Sequence, residues 1–126
     1  MGPEGEEQMS QLTDLLNELV NVEGINSAVV VGRDGFVIEG VASGASLDAD
    51  AVGAVISTGI GSSEVMGREL EVGIMTQGMV EFDDGLIVMA LLGDDAILAV
   101  VADLAANLGN VRFQIKKRLK TIEKAL

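Results

Sequence analysis

Carboxylates are the most plentiful reactive groups in this chain, and two pairs stand side by side, Asp83-Asp84 and Asp94-Asp95. A carboxylate dyad can do acid–base chemistry only where burial or close apposition drives its two pKa values apart. Both pairs lie beside glycine and between apolar runs, where a solvated turn is expected. A third acidic pattern, Asp48, Asp50 and Gly53, matches positions one, three and six of a calcium-binding loop. Position five is Val52 and position twelve is Gly59, so the ligand set fails. Asp48 is read instead as a helix cap. Gly32-Arg33-Asp34-Gly35 lacks the Gly-Lys-Ser/Thr ending of a phosphate loop, and Gly59-Ile60-Gly61 meets Glu64 where a dinucleotide fingerprint needs glycine. There is no His and no Cys, so the commonest general base, thiol chemistry, disulfides and zinc fingers are absent. The expectation is a protein that is not an enzyme, holds no metal or cofactor, and works by contact.

The elements that carry these residues follow from periodicity. Residues 1–8 read as a disordered leader and residues 9–126 as a single domain, in keeping with a chain of 126 residues. A first helix is expected from Ser10, with Leu12, Leu15, Leu16, Leu19 and Val22 as its apolar stripe and Gly24 as its stop. Apolar runs over 26–32 and 36–41 flank Arg33-Asp34-Gly35, a hairpin signal. A second hairpin turns at Asp83-Asp84-Gly85, after a strand over Ile74–Phe82, and a third turn at Gly93-Asp94-Asp95 leads into the last strand. The last two strands are continuously apolar and are expected at the centre of the sheet. A helix over Asp48–Leu70 separates the two hairpins, and a final helix from Asn107 carries Leu108, Val111, Ile115, Leu119, Ile122 and Leu126. The predicted fold is α/β (α+β), in the order α-β-β-α-β-β-β-α, with helices on both faces of a five-stranded antiparallel sheet.

The middle helix is unusual. Its core stripe is expected to be Val52, Val55, Ile56, Gly59, Ser63, Met66 and Leu70. Gly53, Gly59, Gly61 and Gly67 weaken it by about 3–4 kcal/mol in total relative to Ala. The opposite face, with Gly53, Ser57, Ile60 and Gly61, is apolar and small where a solvent face carries Lys, Glu and Gln. Glu64 and Arg68 sit at its end, four apart, spaced for an ion pair. That face reads as a partner surface, first of all for a second copy of the chain, the alternative being that it sits under a loop of the same chain. Met75, Gln77, Met79 and Glu81 lie on the expected third strand, read as an edge strand that pairs with its twin across a two-fold axis.

The formal charge of −12 divides unevenly: residues 1–111 hold 19 acidic and two basic residues, whereas residues 112–126 hold six basic and one acidic. The body should repel nucleic acid and anionic lipid. Arg112, Lys116, Lys120 and Lys124 form a row at helical spacing, with Lys117 nearby, and are expected to face Asp14 and Glu18 of the first helix, the alternative being contact with an acidic partner or a membrane surface. No run is long and apolar enough to insert in a membrane. With no signal peptide in view, a cytoplasmic location is expected.

Order and motifs together resemble the Roadblock/dynein light chain family. The resemblance rests on Val22-Glu23-Gly24-Ile25, on the hairpin from Ala28 to Ile38, on Asp84-Gly85-Leu86-Ile87-Val88, and above all on the segment Leu98 to Gly109 with its Ala106-Asn107-Leu108-Gly109 entry into the last helix. The resemblance implies a homodimer whose sheets join through the third strand, with the paired middle helices as docking platform. It also implies a partner, a small Ras-like GTPase, whose hydrolysis or localisation the dimer modulates. Family members of another kind serve as adaptors in motor or signalling complexes. Carried onto this chain, the partner surface centres on Ser57, Ile60, Gly61, Glu64 and Arg68, with no catalytic set.

Overall fold

The computed structural model describes residues 3–42 and 49–126. Its elements are α1 (Pro3–Val20), β1 (Ile25–Gly32), β2 (Val37–Ala42), α2 (Ala49–Glu69), β3 (Gln77–Phe82), β4 (Gly85–Leu92), β5 (Ala96–Ala102) and α3 (Leu108–Lys124). This is the expected order. One antiparallel sheet runs β2-β1-β5-β4-β3, which places the apolar β5 at the centre and leaves β2 and β3 as edges.

Because strand side chains alternate, the sheet feeds two cores. Ala28, Val30, Val88, Leu98 and Val100 face α1 and α3, whose Leu12, Leu16, Leu19, Val111, Ile115 and Ile122 close the larger core. Val29, Val31, Met89, Ile97 and Ala99 face α2 on the other side. The stripes of α1 and α3 are the expected ones, except that Ala125 rather than Leu126 is buried at the chain's end. Asn107 caps α3, its side chain accepting from the Asn110 amide at 3.0 Å.

Several boundaries differ from expectation, most of them by a single residue. α1 begins at Pro3 rather than Ser10, so residues 3–8 of the expected leader are helical. Proline is pre-organised for a first helical turn, and the Glu and Gln that follow are good helix formers. β3 begins at Gln77 rather than Ile74. The chain leaves α2 through Glu71 (φ 57°) and Gly73 (φ 99°), and these left-handed residues delay the extended conformation. Phe82 pairs with Gly85, so Asp83-Asp84 alone form that hairpin loop. Gly85 belongs to β4, where a Cβ would stand 2.9 Å from the Ala102 carbonyl oxygen. Asp48, the expected cap of α2, lies outside the described residues.

Candidate interaction surface

α2 is held against the sheet by Ile56 and Ile60, with Val52 half-buried beside them. Ile60 is 0% exposed, whereas Val55, Met66 and Leu70, expected in the core, are each more than half exposed. The helix is therefore rotated from its expected orientation. Two glycines explain why. A Cβ on Gly53 would collide with the Gly35 carbonyl oxygen in the β1–β2 turn, and a Cβ on Gly67 would lie 2.8 Å from the Gly73 carbonyl oxygen. Both glycines admit the chain's own backbone and pin that side of the helix inward. Gly53 and Ile60, expected on the dimer face, and Ile60 as a partner contact, thus belong to the protomer's interior. Gly61 is different: a Cβ there meets nothing within 4 Å.

The outward face of α2 carries Ala54, Val55, Thr58, Ser62, Val65 and Met66. Hydroxyls on this face and at its margin are turned back along the helix. Thr58 donates to the Ala54 carbonyl at 2.8 Å and Ser63 to that of Gly59 at 2.8 Å, while Ser57 donates to Ala54 at 3.1 Å. Satisfied in this way, the face presents mostly methyl and methylene groups. Leu70, Val72 and Ile74 continue it, Ile74 being 90% exposed. The patch then reaches β3, the edge strand, where Val80 and Phe82 point to the α2 side of the sheet and Met79 and Glu81 to the other. Of the expected strand residues, Met79 and Glu81 are exposed and Gln77 half-buried, while Met75 packs on the protomer's own smaller core.

Charge at this surface comes from further away in sequence. Arg33, in the β1–β2 turn, donates to both carboxylate oxygens of Glu64, Nη1 to Oε1 at 2.6 Å and Nη2 to Oε2 at 2.9 Å. The bidentate pair ties the turn to α2. It holds the Glu64 carboxyl below its ordinary range, chiefly through the hydrogen bond; partial burial opposes this and the charges of Arg33 and Arg68 add to it. The expected Glu64–Arg68 pair is thereby replaced, and Arg68 is exposed. On the far side of the sheet, Arg118 rather than the row beginning at Arg112 reaches Glu18, at 3.8 Å.

Among the described residues no cluster of His, Cys, Asp or Glu has the geometry of a metal site. No described helix is long and apolar enough to cross a membrane. What the surface offers is contact area, three-layered packing behind it, and an unpaired strand edge beside it. Residues 12–102 match the Roadblock/LC7 domain. The chain belongs to the Roadblock/LC7 family. The uncharacterised protein MJ1340 of Methanocaldococcus jannaschii is 38% identical over 109 residues, covering 86% of this chain and 94% of that protein. Among solved structures, MglB of Myxococcus xanthus superposes with a TM-score of 0.85 at 16% identity, over 91% of this chain and 94% of that one. A Roadblock/LC7 domain from Streptomyces avermitilis superposes with a TM-score of 0.79 at 26% identity, over 87% and 92% of the two chains.

Within this Roadblock domain, sequence reasoning missed Val72, Ile74, Val80 and Phe82 as surface, and Arg33 as the partner of Glu64. Ile74 is the first residue of the expected strand, where an apolar side chain reads as sheet, and Val72 lies between the expected helix and that strand. The Arg33–Glu64 pair joins residues 31 apart, and no local pattern reports such a contact.

Proposed function

We propose that this Roadblock domain is a homodimeric regulator or scaffold that binds a small Ras-like GTPase in the cytoplasm and modulates its GTP hydrolysis or localisation. The observation that carries the reading is the outward face of α2, apolar and small in a chain of net charge −12, continuous with the 70–74 segment and the β3 edge. Such a patch marks an interaction site rather than an ordinary surface. Family membership supports this class of partner, and two copies paired through β3 would remove the strand edge. The contact set is Ser57, Gly61, Glu64 and Arg68 with Val65 and Met66, joined at the dimer edge by Gln77, Met79 and Glu81. The domain acts by holding the GTPase's switch segments, and the nucleophile and base are the GTPase's own.

The test is single-turnover GTP hydrolysis by a cognate GTPase with and without this protein. A changed rate, lost in Val65→Lys, is the expected outcome. Binding with an unchanged rate would instead establish a structural adaptor in a motor or signalling complex.

A further inference from the structure

Apart from Arg118, which reaches Glu18, the cations of α3 meet neither of the partners expected for them. Arg112, Lys116, Lys117, Lys120 and Lys124 are all exposed, and among the described residues none has a carboxylate within 4.0 Å. The row from Arg112 to Lys124 extends about 18 Å at 1.5 Å per residue. Phe113 stands in the same face and is 60% exposed. Beside it runs a groove of about 600 Å³ between α3 and the start of β3, lined by Thr76, Gln77, Arg112, Phe113, Lys116 and Leu119. Its rim is basic and its wall carries an aromatic and a leucine.

We propose that this groove and the basic row of α3 dock an acidic segment of a partner protein that carries one bulky apolar side chain. The apolar side chain enters between Phe113 and Leu119, and carboxylates spaced by a helical turn meet Arg112, Lys116 and Lys120. Charge selects this occupant. Residues 1–111 carry 19 acidic and two basic groups, so an extended polyanion such as a membrane or a duplex meets the net repulsion of the rest of the chain. A short segment stays within the row, because screening confines each charge to about 8–10 Å at ordinary ionic strength. The site lies with α3 on the opposite face of the sheet from α2. It shares Gln77 with the proposed dimer edge and is otherwise separate from the α2 face proposed to hold the GTPase.

The experiment is fluorescence anisotropy of the full chain with a labelled peptide of about 14 residues, Glu placed four apart with one central Leu, a length that matches the row. Saturable binding is expected, weakened about tenfold or more in the Lys116→Glu/Lys120→Glu variant, which also loses most of the salt dependence. Phe113→Ala is expected to weaken binding by about three- to tenfold while keeping the salt dependence, since only apolar burial is removed. Equal affinity in the wild type and the charge-reversed variant overturns the proposal, as does a Kd weaker than about 1 mM at low salt. Tighter, Lys116- and Lys120-dependent binding to phosphatidylserine vesicles overturns it in favour of a lipid surface. Salt-sensitive self-association that displaces the peptide overturns it in favour of a second copy. The substituted side chains, Phe113, Lys116 and Lys120, are solvent-exposed, and thermal melts check that the variants remain folded.

Discussion

At the scale of single residues, the Arg33–Glu64 pair is the feature with the clearest measurable consequence. The folded-state pKa of Glu64 lies below its ordinary 4.5, so the pair's contribution is complete above that value. It is lost as pH falls through the lower folded value. Arg33 stays charged throughout, its own pKa being raised chiefly by the same hydrogen bond. Glu64→Gln should therefore cost about 0.2–1 kcal/mol at pH 7, the range of solvent-exposed pairs. Urea melts from pH 7 downward measure this, and the difference between wild type and variant should narrow as pH falls below the ordinary 4.5. A gap that did not change with pH would assign the effect to packing. Glycines also separate at this scale. Gly53 and Gly67 are where backbone meets backbone, whereas Gly61 has open space around its Cα.

At the scale of elements, α1 and α3 have one apolar stripe each, and the structure packs that stripe. α2 has two arcs that are both apolar, so periodicity alone cannot choose between them. The choice is made by the fit of Ile56 and Ile60 among Val29, Val31, Met89 and Ile97, and by the two glycines that approach neighbouring backbone. Ile60→Ala should therefore cost about 2–5 kcal/mol, as large-to-small changes in a packed core do. Val55→Ala should fall within about 0.5 kcal/mol of wild type, as surface changes do. Paired denaturant melts check both, and the opposite ranking would restore the orientation expected from the sequence. The same ambiguity explains why Gly53 and Ile60 read as interface when they are core. Ser57, Gly61, Glu64 and Arg68 sit where a partner can reach them at least in part.

At the scale of the whole molecule, the domain is three layers with an open β3 edge and an apolar patch running from it onto α2. Two copies joined through that edge would bury both features. Gly61→Lys, which adds a charge where there is free space within the protomer, should leave the melting curve nearly unchanged and convert a dimer to a monomer in light scattering. A variant with the wild-type mass would remove Gly61 from the interface. The sequence by itself determined the order of the eight elements, the central place of β5, the edge place of β3, the stripes of α1 and α3, and the family. Those features are set by local chemistry: turn residues, alternation and helical spacing act over a few neighbours. Only the tertiary structure decided which face of α2 packs, which cation meets Glu64, that Arg118 and not the row beside it reaches Glu18, and that a groove opens between α3 and β3. Each of these depends on residues far apart in the chain, and competing local patterns of nearly equal strength are resolved only when the layers pack against one another.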